Sequence, residues 1–168
     1  MRLAPIAVTA AILVATMGSA GFGQRSDDRI DARSAALTQQ GMALVAQGRW
    51  LEATDLFESA LAVDARNRQA YIGLARAAQG EKLPGKAVKF YYEALQLEPN
   101  DLDALTGQGE ALVQRGAVER ARQNLDRIRT LCKSNCSQAT QLAAVIAKGP
   151  PAQVVTAERP EAPAPKRN

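Results

Sequence analysis

Two thiols, Cys132 and Cys136, are the most reactive pair in the sequence, and the chain has no other cysteine. Three kinds of chemistry suit such a pair: a structural disulfide, a redox-active dithiol, or half of a metal site. Redox dithiols usually enclose two residues rather than three, and a metal site needs more ligands than a chain without histidine readily supplies. A disulfide would require an oxidising compartment. The second chemical group is a run of cations, Arg115, Arg120, Arg122, Arg127, Arg129 and Lys133, offset only by Glu119 and Asp126. Much of the formal net charge of +4 originates there. No aromatic residue stands among these arginines to stack on bases, so nucleic acid is not an expected partner. Weak contact with an anionic membrane surface, an acidic protein, or plain solvation of a helix face are the remaining uses. Catalysis has little to work with. There is no histidine, glycine-rich phosphate loop, nucleophile elbow or cluster of carboxylates at metal spacing, so no enzymatic activity, metal or cofactor is expected.

The elements that must position these groups follow a period of 34 residues, on which Ala53, Ala87 and Ala121 recur. Blocks at 34–67, 68–101 and 102–135 align Leu37, Tyr71 and Leu105, then Gly41, Ala75 and Gly109, then Leu44, Ala78 and Leu112. These fall on one face of a first helix. Phe57, Tyr91 and Leu125, followed by Ala60, Ala94 and Ile128, mark a second. Two helix backbones approach closely only where no bulky side chain intervenes, which explains the small residues at the eighth and twentieth positions. Breaks at Gly48-Arg49, Arg66-Asn67, Gly80 to Gly85, Pro99-Asn100, Gly116 and Lys133 to Asn135 divide the region into six such helices and a seventh. The seventh runs from about Cys136 to Ala147, with Ala139, Leu142, Ala143 and Ile146 on one face. Six of the aromatics lie in the first two blocks, which are expected to hold the firmest core.

The middle block reads Tyr71, Leu74, Ala75, Ala87, Tyr91, Ala94 and Pro99, with Asn100 and Asp101 placed to cap the next helix. In these columns the chain resembles the tetratricopeptide repeat family. The outer blocks depart from the pattern: Gln40 and Gln108 replace a Leu, Ala65 and Lys133 replace the Pro, and Ile128 replaces the last small residue. The resemblance implies an all-α fold, a right-handed α-solenoid of three helical hairpins with the seventh helix as a C-terminal cap. It also implies a concave face built from the first helix of each hairpin. By that carry-over the face holds Ala35, Thr38, Met42 and Val45, then Gln69, Ile72, Arg76 and Gln79, then Asp103, Thr106, Glu110 and Val113.

Family members that grip a terminal carboxylate use Lys at the fifth position and Asn at the ninth. Here those positions carry Thr38 and Met42, Ile72 and Arg76, Thr106 and Glu110, so that clamp is missing. These six residues are the partner-binding candidates for a protein or peptide client. Arg76 flanked by Met42 and Ile72 suits an acidic residue next to an apolar one; the alternative is that Arg76 pairs with Glu110 or stays solvated. The family alignment also places the cysteines around the turn after the last repeat helix, where a bridge would staple the cap.

Residues 1–20 read as a secretory signal: Arg2 gives a positive start, Leu3 to Met17 is apolar, and Gly18-Ser19-Ala20 offers a cleavage site. No charge occurs from Leu3 to Gln24, so an uncleaved anchor is the alternative. Residues 21–29 read as a flexible lead, 30–148 as the repeat domain with its cap, and 149–168 as a disordered tail holding five of the eight prolines. The expected location is periplasmic or secreted, in the manner of a bacterial envelope protein, or inner-membrane anchored if the signal is kept. The expected function is an exported scaffold recruiting a partner during assembly of an envelope complex. A membrane-anchored oligomerisation module is the rival.

Overall fold

The computed structural model describes residues 29–132 and 136–151, and every regular element among them is an α-helix. The helices are α1 (Ala32–Ala46), α2 (Trp50–Val63), α3 (Arg68–Gly80), α4 (Pro84–Leu97), α5 (Leu102–Gln114), α6 (Val118–Leu131) and α7 (Ser137–Lys148). The expected signal or anchor, nearly all of the lead, Lys133, and the tail from residue 152 onward lie outside the described residues.

Local chemistry explains where the helices begin. Each first helix of a hairpin starts behind a short polar side chain that accepts a hydrogen bond from an otherwise unsatisfied N–H. Asp31 accepts from the N–H of Arg33 at 2.8 Å, Asn67 from that of Ala70 at 3.2 Å, and Asp101 from that of Ala104 at 2.7 Å. The second helices have no side-chain cap and begin instead from a repeated turn. Gly48, Lys82 and Gly116, spaced at the period, all adopt left-handed φ values of 73°, 60° and 78°. This lets the N–H groups of Arg49, Leu83 and Ala117 return to the carbonyls of Leu44, Ala78 and Leu112 at 3.0, 2.8 and 2.8 Å. The turn therefore satisfies carbonyls at the end of one helix while aiming the chain into the next.

Hairpins α1–α2, α3–α4 and α5–α6 stack so that each second helix also packs against the first helix of the next hairpin. The first helices run side by side along one face, and α7 lies against both α5 and α6. Ala53, Ala87 and Ala121 are fully enclosed at 0% exposure, as the close approach of paired helices demands. The column of Phe57 and Tyr91 fills what the small residues leave open. A Cβ on Gly41 would meet Cε1 of Phe57 at 2.6 Å, and one on Gly73, in the next hairpin, would overlap the same ring. Tyr91 stands likewise against Gly107.

The core forms two clusters. One surrounds Phe57 with Ala53, Ala60, Ala70 and Leu74. The larger extends from Ile72 through Tyr91, Leu105, Leu112 and Ile128 to Leu142 of α7. Of the first two repeats, expected to hold the firmest core, the second belongs mostly to the larger cluster together with aliphatics of α5, α6 and α7, while the first holds the smaller one around Phe57.

Candidate partner-binding face

The first helices bring the candidate residues to one side of the stack, but they separate into two pockets. An apolar pocket of about 330 Å³ is lined by Ile30, Ala35, Thr38, Gln39 and Met42, with Asn67 and Gln69 from the start of α3. A polar pocket of about 230 Å³ lies between α3, α5 and α7, lined by Arg76, Gln79, Asp103, Thr106, Glu110 and Gln141 among others, with Tyr91 reaching in from α4. Arg76, Thr106 and Glu110 are thus brought together. Met42 and Arg76 are not, so the expected grip on adjacent apolar and acidic residues does not form.

Ile72 stands apart from both pockets: it is fully buried in the larger core cluster and cannot touch a ligand. Thr38 is 6% exposed and belongs to a buried polar network that ties three helices together. Its hydroxyl donates to the Ser34 carbonyl at 2.9 Å and accepts from Asn67 Nδ2 at 2.8 Å. Asn67 Nδ2 also donates to Ser34 Oγ at 2.8 Å, and Ser34 in turn donates to the Ala60 carbonyl at 2.7 Å. Thr106 is similarly buried, donating to the Leu102 carbonyl at 2.6 Å. These hydroxyls satisfy helix carbonyls, which a buried polar group needs.

Electrostatics concentrate in the polar pocket. The exposed Arg76 guanidinium has no ion-pair partner among the described residues, so the alternative pairing with Glu110 is not formed. Glu110 instead accepts from Gln141 Nε2 of α7 at 2.6 Å. Asp103, also exposed, makes no ion pair among the described residues. Below them the Tyr91 hydroxyl donates to Gln79 Oε1 at 2.8 Å. Burial, reinforced by the carboxylates of Glu110 and Asp103 and opposed by Arg76, pushes its phenol up to about 12. Tyr91 therefore stays a neutral donor, and the pocket presents one cation and two carboxylates over a neutral base.

Ser137, Gln138 and Gln141 of α7 were absent from the sequence-based candidate set, yet they line this pocket. A signal for them exists: Ala139, Leu142, Ala143 and Ile146 fall 34 residues after Leu105, Gln108, Gly109 and Leu112. The seventh helix is thus the first helix of a fourth, incomplete unit, and it extends the inner face as well as capping the stack. Its start is held near α6 by Cys132 and Cys136, whose Cα atoms are 5.7 Å apart with the sulfurs at bonding distance.

Three of the five described arginines of the stripe are engaged. Arg122 pairs with Glu119 and Arg129 with Asp126, while Arg127 donates to Asn100 Oδ1 at 3.3 Å. Such exposed pairs contribute little stability but reduce the stripe's attraction for anions.

Several solved structures share this architecture. The first TPR of Spaghetti (RPAP3), bound to the HSP90 peptide SRMEEVD, is 22% identical, with 71% of this chain and 94% of that chain covered at a TM-score of 0.64. The Sgt2 TPR domain from Aspergillus fumigatus is 18% identical, with 70% and 79% covered at a TM-score of 0.65. The Yersinia enterocolitica type III secretion chaperone SycD, in complex with a peptide of the translocator YopD, is 17% identical, with 68% and 86% covered at a TM-score of 0.59. At these identities the likeness is one of fold. No curated protein matches the chain. Residues 38–101 match the family model described as tetratricopeptide repeat. With that match, the periodic turns and the stacked hairpins, residues 38–101 are similar to tetratricopeptide repeats and the chain has the fold of tetratricopeptide repeat domains.

Proposed function

We propose that this protein is an exported scaffold that recruits a partner protein through its inner face, in assembly of a cell-envelope complex. The observation that carries the reading is Arg76: an exposed guanidinium without an ion-pair partner among the described residues, lining a pocket on the face left open by the first helices. A carboxylate from a partner would gain a charge-assisted hydrogen bond there. Two structures of the same fold are described with peptides bound, which is consistent with this use. The cysteine pair and the signal-like residues 1–20 favour an oxidising compartment outside the cytoplasm.

Affinity capture from envelope extract, with the wild-type chain and Arg76→Glu as baits, tests the reading. Arg76→Glu should lose the specific partner while keeping its helical circular dichroism. Equal recovery by both baits removes the residue on which the reading rests. The rival, a membrane-anchored oligomerisation module, is favoured by the uncharged stretch from Leu3 to Gln24. Mass spectrometry of the amino terminus separates the two: a chain beginning at Met1 supports the anchor, and one beginning near Gly21 eliminates it.

A further inference from the structure

The polar pocket holds opposite charges that do not neutralise each other. Arg76 and Asp103 line the same cavity of about 230 Å³, yet neither has an ion-pair partner among the described residues. Glu110, a second carboxylate in the pocket, is oriented by Gln141. A purely acidic segment entering here would satisfy Arg76 while bringing its charge towards Asp103 and Glu110, and that repulsion falls only as the inverse of distance. A purely basic segment meets the converse difficulty at Arg76. A ligand carrying both signs matches both halves.

The apolar pocket sets a second constraint. Gln69 lines it and Arg76 lines the polar pocket, and both belong to α3. Their separation along the helix is roughly 10 Å at 1.5 Å per residue. Extended chain rises about 3.3 Å per residue, so about three residues span that distance, and a spacing of about four is the one that reaches across with both side chains on the same edge. Two positions apart is the nearest spacing that keeps an acidic and a basic side chain on the same edge of an extended segment, as sharing one pocket requires.

We propose that the inner face recognises an extended segment of a partner protein in which an acidic and a basic side chain, two positions apart, enter the polar pocket. An apolar side chain about four positions from the acidic one fills the pocket beside Met42. The inference rests on the reading that this face holds a protein segment, and it specifies the segment's chemistry.

Fluorescence anisotropy with labelled synthetic peptides of about a dozen residues tests it on the full chain. One peptide carries leucine, glutamate and lysine at the proposed spacing in a serine and glutamine background. A second has the lysine replaced by glutamine, a third has it replaced by glutamate, and a fourth sets leucine next to the glutamate. The first should bind roughly fivefold or more tightly than each of the others. Asp103→Asn should remove the difference between the lysine and glutamine peptides, because the contact measured is then absent. Asp103 is exposed, so the variant should retain the wild-type helical spectrum. Equal affinity for all four peptides, or a lysine preference that persists in Asp103→Asn, overturns the proposal while leaving the inner face as a binding surface. Absence of peptide binding overturns it too; Arg76-dependent capture in the extract experiment would then keep the broader reading, and loss of both results would end both.

Discussion

The ring of Phe57 occupies the space that a Cβ on Gly41 would need, with Cε1 only 2.6 Å from that position. A Cβ on Gly73 of the following hairpin would overlap the same ring, so the aromatic is held against two glycine backbones. Gly73→Ala would gain up to about 1 kcal/mol of helix propensity. It would lose more by driving a methyl into a ring that cannot retreat towards Gly41, a cost of about 1–3 kcal/mol. Net destabilisation is expected in thermal melts. The double variant Gly73→Ala with Phe57→Leu should recover part of the loss, since the smaller side chain vacates the overlap.

Lys82 is the non-glycine member of the left-handed turn series, at φ 60°. An L-residue pays roughly 1–2 kcal/mol in that region, partly offset by its smaller unfolded-state entropy. Lys82→Gly is therefore expected to leave the melting temperature unchanged or raise it slightly. Gly48→Ala and Gly116→Ala should each lower stability by about 1 kcal/mol. A drop on Lys82→Gly as large as those would contradict the turn geometry.

Asn67 links α1 to α3 through two side-chain donations and caps α3 with its own oxygen. Asn67→Ala removes a cap worth about 1 kcal/mol and strips buried hydroxyls of a donor at a further cost of about 1–3 kcal/mol. Chemical denaturation should show a loss of this combined order. Thr38→Ala should destabilise by about 1 kcal/mol, because the hydroxyl is committed to this network although the residue also lines the apolar pocket.

Asp64 caps the end of α2 and is 8% exposed. Hydrogen bonds from the Arg66 side chain, then from the N–H groups of Asp31 and Arg66, hold its carboxyl down at about 2. A folded-state value below the unfolded one means that the ionised form favours folding. The stabilisation is complete above the unfolded value near 3.8 and is lost as pH falls towards about 2. Melting temperature followed from about pH 5 to about pH 2 should fall more steeply for the wild type than for Asp64→Asn.

Closing so short a loop between Cys132 and Cys136 should contribute about 2 kcal/mol. The double variant Cys132→Ser with Cys136→Ser should melt lower, and hydrogen exchange should increase first in α7. The same variant should weaken the preference for the mixed-charge peptide, since α7 supplies Gln141 to the pocket.

What could be read directly from the residues was whatever repeats. The small columns at Ala53, Ala87 and Ala121, the breaks between helices, and the cap at Asp101 are contacts made within one hairpin or with its immediate neighbour. Identical neighbours select identical residue types, and the period exposes them. The overlap of Gly73 and Gly107 with aromatic rings of the preceding hairpin obeys the same rule, though it relates different columns and is less visible.

The sequence by itself determined that the chain forms helical hairpins in series, because local capping, left-handed turns and close helix contacts are encoded in short stretches of residue type. Only the tertiary structure decided which polar side chains share a pocket. Ile72 sank into the core, Thr38 and Thr106 turned to helix carbonyls, Met42 and Arg76 parted into separate pockets, and α7 contributed its glutamines. The reason is geometric: the offset between successive hairpins fixes which side chains meet across the inner face, and that offset comes from the summed packing of many side chains rather than from any one motif.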